Sequence, residues 1–145
     1  MSQGYIVFSQ RDPWPFDENA WKTHAARFFG VRVGLAEVPR SDLRAVTLLL
    51  EVGATTESRE LVFRATNEGD LENVRKCEAT RSTGGLYELA LRCTHVCVVG
   101  VRSEPDTRAL LLAAIAASYC LGPIWLPQST EVIGAKTARI RSSSV

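Results

Sequence analysis

The sequence has few of the residues and motifs that enzymes commonly use for proton transfer and phosphate binding. Only two histidines, His24 and His95, occur in 145 residues. The pair Gly84-Gly85 is not followed by the lysine and Ser/Thr of a phosphate loop. No G-x-S-x-G nucleophile elbow and no H-E-x-x-H zinc motif is present. These absences exclude the enzyme classes that those motifs define and favour a protein that is not an enzyme.

The charge balance shows no excess of either sign. The chain has 17 Lys and Arg against 16 Asp and Glu, which gives a net charge of +1. Lys136, Arg139 and Arg141 follow the last acidic residue, Glu131. Three cations are fewer than a phosphate-binding face usually gathers. We therefore expect no nucleic-acid partner.

The sequence also lacks an uncharged run that could span a membrane. The main candidate extends from Ala109 to Leu126, but Gly122-Pro123 interrupts any helix there. The remaining helical part is shorter than the ~20 residues that cross a bilayer. A buried helix followed by a buried strand explains this run better, and we expect no membrane partner.

A secretory signal pattern is missing from the N-terminal residues. They contain no charged segment followed by an apolar run and a small-residue cleavage site. We therefore expect a cytoplasmic protein. Cysteines stay reduced in that compartment, so four free thiols are expected, at Cys77, Cys93, Cys97 and Cys120.

What is present is typical of one globular domain. Hydrophobic residues make up 46% of the chain and charged residues 23%, far from the composition of disordered or fibrous proteins. A chain of this length can bury enough surface to fold without disulfides or metal. We predict a single domain over residues 1–140 and a disordered tail over 141–145, where three serines follow Arg141.

Hydrophobic periodicity predicts the regular elements. Strand patterns occur at 5–8, 46–52, 61–66, 95–101 and 124–126, with weaker candidates at 31–39 and 130–135. Helical patterns occur at 17–29, with Asp17 as N-cap and Gly30 as its stop, and at 107–121. The polar run 53–59 is predicted as a loop and 67–70 as a turn. Residues 71–94 fit a helix or a hairpin, and helix is favoured over 86–93.

These patterns predict an α+β (mixed α/β) domain. Strands 46–52 and 61–66 suggest an antiparallel hairpin. The strand–helix–strand order over 95–126 is typical of a crossover between parallel neighbours. We therefore predict a mixed, mostly antiparallel sheet of about five strands, with two or three helices packed on it, most simply on one side.

One pattern has the residue types of a metal site. On a strand, Cys93, His95 and Cys97 would share one face at ~6.6 Å steps. Two thiolates and an imidazole are three of the four ligands of a typical zinc site. A fourth could come from Cys77, Cys120 or His24. The same residues could instead form a Cys–His nucleophilic pair.

A simpler interpretation of this pattern is a core strand. The spacing is not one of the usual zinc spacings, and free cysteine commonly packs as a small hydrophobic residue. If the strand begins at His95, then Cys93 belongs to the previous element and the shared face is lost. We therefore expect no cofactor, with zinc as the alternative.

A second cluster lies near the N-terminus and combines aromatic residues with carboxylates. Its members are Asp12, Trp14, Phe16, Asp17 and Trp21. Tryptophan commonly anchors protein interfaces, so this segment is a candidate binding surface. Alternatively, Trp14 and Phe16 fasten the loop onto the helix that follows.

Three functions fit these observations. The first is a non-catalytic protein-interaction module of the adaptor, immunity or assembly-factor type, with a protein partner or a second copy of the chain bound at the N-terminal segment. The second is a small metal-binding protein or enzyme centred on Cys93, His95 and Cys97. The third is a small-ligand-binding domain with a pocket near Trp125.

Overall fold

An antiparallel sheet forms the centre of the molecule. The computed structural model describes residues 4–103 and 105–143. In chain order, the strands of this part are Gly4–Ser9 (β1), Arg32–Leu35 (β2), Ala45–Val52 (β3), Thr55–Ala65 (β4), His95–Gly100 (β5), Ile124–Leu126 (β6) and Glu131–Ile133 (β7). The helices are Glu18–Phe29 (α1), Glu68–Thr80 (α2), Leu86–Leu91 (α3), Thr107–Cys120 (α4) and Ala135–Ser142 (α5).

The strand order is β2-β3-β4-β5-β1-β6-β7, and each described pair of neighbours is antiparallel. The α+β domain is thus confirmed, but the mixed sheet of about five strands and the two or three helices are corrected to seven strands and five helices in the described residues. Helix α4 does connect two strands of the same direction, β5 and β6. They are not neighbours, because β1 lies between them and pairs with both.

Helices cover the two faces of the sheet unequally. On the first face, α1, α4 and α5 enclose a core that includes Trp21, Leu112 and Ala138. On the second face, α2 and α3 cover a smaller core around Phe8. That second core takes no residue from β2, β3 or β4, and Leu49 lies exposed on the open part of the sheet. The sequence suggested, as the simplest arrangement, that the helices pack on one side of the sheet. That expectation is wrong, because helices lie on both faces.

Local signals account for α1. The Asp17 carboxylate accepts a hydrogen bond from the backbone N–H of Ala20, as an N-cap does. Gly30 ends the helix in the left-handed region at φ +68°, where glycine pays no steric penalty. Both predicted boundaries are confirmed.

The predicted loop at 53–59 is wrong. Strand β4 already begins at Thr55, so only Gly53 and Ala54 separate it from β3. The polar residues Glu57 and Arg59 therefore lie in a strand. Arg59 is buried there because its guanidinium pairs with Asp106 of a distant segment, a contact that local polarity does not reveal.

The undecided region 71–94 is helical over α2 and α3, so the preference for a helix near 86–93 is confirmed over the hairpin. The predicted turn at 67–70 is instead the start of α2. Asn67 and Asp70 form a capping box, in which each side chain accepts a hydrogen bond from the backbone N–H of the other.

Helix α4 and the turn after it pack closely on β1. A Cβ atom on Gly122 would lie 2.0 Å from the carbonyl oxygen of Phe8, so only glycine fits this position. At the C-terminal end, Arg141 and Ser142 lie in α5 rather than in the tail predicted over 141–145, and 144–145 fall outside the described residues. Among the described residues, no helix combines the length and apolar character needed to cross a membrane.

Candidate functional site

The two clusters singled out in the sequence meet at one end of the sheet. Ser9, the last residue of β1, pairs with His95, the first residue of β5. The chain leaves β1 there and continues through Asp12. Arg44, just before β3, lies beside them, and its carbonyl oxygen accepts a hydrogen bond from Phe63 N. We call this region, where β1 ends, the Asp12 end.

The Asp12 carboxylate is the centre of the arrangement. One oxygen, Oδ1, accepts hydrogen bonds from Arg44 Nη2 and, at 3.0 Å, from the backbone N–H of Trp14. The other, Oδ2, lies 3.5 Å from Nε2 of His95. The hydrogen bond from Arg44 lowers the pKa of Asp12 below its ordinary value, against the opposing effect of partial burial. The carboxylate is therefore ionised at neutral pH.

The His95 ring is held on both sides. Its Nε2 faces Asp12, and its Nδ1 lies 2.9 Å from the hydroxyl oxygen of Thr94. The two contacts position the ring between the loop that follows β1 and Thr94.

The predicted aromatic surface divides into buried and half-buried members. Trp21 is 1% exposed and belongs to the core, so it offers no contact area to a partner. The Phe16 ring centroid lies 5.1 Å from that of Trp21, and Trp14 lies 5.8 Å from Phe63. These contacts fasten the loop onto the domain, as the alternative interpretation of the segment states. Asp17 is occupied as the N-cap of α1.

Trp14 nevertheless contributes to the surface. It is half-buried, and the guanidinium of Arg44 lies 5.9 Å from its ring centroid, within the range of a cation–π contact. Nothing in the sequence distinguishes Arg44 from the other arginines. Its backbone adopts φ +48°, which is uncommon for a residue with a side chain. Sequence reasoning missed it because its role depends on three distant segments.

The structure does not bring the three predicted metal ligands together. Strand β5 begins at His95, so Cys93 precedes it and packs in the second core, whereas Cys97 packs in the first core. The expected common face of Cys93, His95 and Cys97 is thus wrong. In the described part of the chain, no group of three or more His, Cys, Asp or Glu side chains is arranged to hold a metal ion.

The buried thiols are also poor nucleophiles. Burial raises the pKa of Cys93 to about 11 and that of Cys97 well above the ordinary value. A thiolate is the reactive form of cysteine, so both remain protonated at neutral pH. The other histidine, His24, lies elsewhere, with Nε2 2.8 Å from the Ser118 hydroxyl oxygen. These positions give no support to a Cys–His pair.

The connection between β2 and β3, residues 36–44, extends the Asp12 end and exposes apolar side chains. Leu43 is 54% exposed and Val38 is also well exposed. The connection is fixed at several points: Arg40 pairs with Glu60, and backbone hydrogen bonds of 2.9 and 3.2 Å join Arg40 to Ala45. The apolar side chains are therefore presented on an ordered support.

Comparison with known proteins adds no family to this description. No protein-family model, no curated protein and no solved structure matches the chain. The chain is thus described by its own structure, as an α+β domain on an antiparallel sheet with a charged and aromatic cluster at one end.

Proposed function

We propose that this chain is a non-catalytic protein-interaction module that binds its partner at the Asp12 end. One observation carries the proposal: Asp12 binds Arg44 and faces His95, while Arg44 covers Trp14. Tryptophan and arginine are the residue types most enriched among interface residues that dominate binding energy. Here they are half-exposed and held by contacts to three chain segments.

The partner's chemistry follows from the groups that remain accessible. Arg44 carries five N–H donors and uses Nη2 for Asp12. Its Nε is buried, but the side chain as a whole is 37% exposed, so a carboxylate would bind at the terminal nitrogens. Leu43, the adjacent residue, offers an exposed apolar contact. We therefore expect a protein partner that presents an acidic side chain next to an apolar one.

Preorganisation strengthens the case for binding. Association costs entropy when side chains and loops become ordered. At the Asp12 end that ordering has already occurred, because the Arg40–Glu60 pair and the backbone bonds to Ala45 fix residues 36–44. The hydrogen bonds of Asp12 fix the neighbouring loop. A partner would thus meet a surface that needs little rearrangement.

Photo-crosslinking tests the proposal in the cells that naturally express the protein. The photoreactive residue p-benzoylphenylalanine replaces Leu43 in one variant and Leu91 in a matched control. The two leucines are 54% and 53% exposed, and Leu91 lies on α3. We expect a cross-linked product of one defined mass from position 43 and none from position 91. A product of twice the chain mass would identify a second copy as the partner.

The Arg44→Ala substitution makes the test specific. It removes the proposed contact with the partner's carboxylate and should abolish most of the product from position 43. Arg108→Ala, which breaks another half-exposed ion pair on α4, should leave the product unchanged. Equal products from positions 43 and 91, or a product that does not depend on Arg44, would rule out the Asp12 end as the binding surface.

A further inference from the structure

A cavity lies at the opposite end of the sheet, where β1 begins, and we call this region the Tyr5 end. Its volume is about 470 Å³, within the range of roughly 300–1,000 Å³ that small-molecule sites occupy. Three elements enclose it: the start of α4, the turn between β6 and β7, and α5. Because it faces away from Asp12, this cavity is separate from the proposed protein-binding surface.

Apolar side chains form the floor of the cavity. Tyr5, Leu110 and Leu126 line it, and each belongs to the first core or packs against it. The sequence suggested a ligand pocket near Trp125, but Trp125 faces the second core, on the other side of the sheet. The next residue, Leu126, lines the cavity instead. A ligand would bury apolar surface on this floor.

The charged side chains that line the cavity are already neutralised by protein partners. Asp106 accepts two hydrogen bonds of 2.9 Å from Arg59. Glu131 accepts two from Arg141, at 3.1 and 2.9 Å. Arg141 differs from Arg44 because both of its terminal nitrogens bind one carboxylate, whereas Arg44 uses Nη2 alone. A charged ligand would therefore lose its hydration without meeting an uncompensated opposite charge, which is unfavourable. The cavity thus disfavours anions and cations.

One polar group at the rim remains available. The Thr107 hydroxyl lines the cavity and makes no hydrogen bond to any other described residue. A hydroxyl can both donate and accept. It can therefore bind a hydroxyl or carbonyl group on a ligand whose apolar part rests on the floor.

From these contacts we propose that the cavity at the Tyr5 end is a binding site for an uncharged, mainly apolar small molecule that carries a hydroxyl or carbonyl group. The inference does not depend on the proposed protein partner. The apolar floor supplies affinity, the paired charges exclude ionic ligands, and Thr107 orients the polar group.

A set of four probes that share one ring tests the charge selectivity. Benzyl alcohol is neutral and polar, toluene is neutral and apolar, benzoate is an anion and benzylammonium is a cation. In an NMR titration of the full chain, we expect saturable shifts with benzyl alcohol at residues around the cavity. Benzoate and benzylammonium should bind at least about tenfold more weakly, because binding would remove water from their charged groups.

Two variants locate the site. Leu110→Trp fills the cavity and should abolish the shifts, whereas Leu49→Trp, on the open sheet face, should not. Thr107→Val removes the hydroxyl at nearly constant volume. It should weaken benzyl alcohol roughly three- to tenfold, as expected for one lost hydrogen bond, and leave toluene unchanged. Thr23→Val on α1 is its matched control.

The outcomes decide the proposal even if one variant folds poorly, because the wild-type probe series and Thr107→Val do not depend on Leu110→Trp. No saturable binding of benzyl alcohol to the wild-type chain would overturn it. Binding of benzoate or benzylammonium as tight as that of the alcohol would overturn the proposed ligand class. Shifts that persist in a folded Leu110→Trp variant would place the binding elsewhere.

Discussion

The two ends of the sheet each contain an arginine–aspartate pair, in opposite surroundings. At the Tyr5 end, the side chains of Arg59 and Asp106 are 6% and 4% exposed. At the Asp12 end, those of Arg44 and Asp12 are 37% and 38% exposed. An exposed ion pair usually contributes about 0–1 kcal/mol, whereas removing one partner of a buried pair costs about 3–5 kcal/mol. An arginine–aspartate pair can thus stabilise the fold at one end of the sheet and remain accessible to a partner at the other.

Removal of the buried carboxylate should have the largest effect. Asp106→Ala leaves the Arg59 guanidinium buried without its partner and removes the hydrogen bond that caps α4 at Ala109 N. We expect the free energy of unfolding to fall by about 3–5 kcal/mol. Urea denaturation followed by circular dichroism measures this change.

Asp12→Ala is the matched control for that experiment, since it removes the exposed carboxylate of the same residue type. Its expected cost is no more than about 1 kcal/mol. If the two substitutions lowered the free energy of unfolding equally, burial would not explain a difference in stability between the two ion pairs.

At the Asp12 end, a substitution that disturbs backbone packing should reduce stability far more than one that removes an exposed side chain. In Gly122→Ala, the new Cβ would lie 2.0 Å from the Phe8 carbonyl oxygen, so β1 or the turn after α4 must move. Overpacking of this kind costs about 1–3 kcal/mol, and we expect the upper part of that range in the urea experiment.

Gly134→Ala is a suitable control for this substitution. Gly134 has an ordinary φ of −92°, and an added Cβ would meet only Leu86, at 3.9 Å. A smaller loss is expected. If Gly122→Ala were as mild as the control, the Asp12 end would be loosely packed, and its exposed side chains would not be rigidly presented.

The sequence predicts the fold best where the signal is local. Asp17 and Gly30 fix both ends of α1 because capping involves backbone groups within a few residues. The start of β4 could not be predicted in the same way. Arg59 pairs with Leu48 of β3, and its buried guanidinium binds Asp106, which is 47 residues away in the chain. Local sequence shows neither contact, and in isolation Arg59 has the polarity of a loop residue.

The candidate surface was predictable only in part. The sequence singled out Asp12 and His95, but in separate clusters and for different reasons. Their contact depends on the pairing of β1 with β5, and periodicity gives no information about which strands pair. Arg44 has no motif around it, and the Asp106 carboxylate at the Tyr5 end binds Arg59, which is 47 residues away in the chain.

The smallest expected effect is the acid dependence contributed by Asp12. The hydrogen bond from Arg44 lowers the pKa of Asp12 in the folded protein. A carboxyl whose pKa is lower in the folded state stabilises the fold above its unfolded pKa, and this contribution disappears as the pH falls through the folded pKa. Asp12→Asn should therefore lower the free energy of unfolding by less than about 1 kcal/mol at neutral pH. The difference from wild type should shrink towards zero once the pH falls below the ordinary value of 3.8.

High salt gives this last prediction its control. Salt screens exposed charges strongly and buried pairs much less, so the Asp12→Asn difference should also decrease at high ionic strength. Asp106→Asn should keep most of its larger cost under the same conditions. If the effect of Asp12→Asn did not depend on salt, the Asp12–Arg44 pair would be shielded from solvent in the purified protein. Self-association at the Asp12 end would cause such shielding. The proposed partner would then be a second copy.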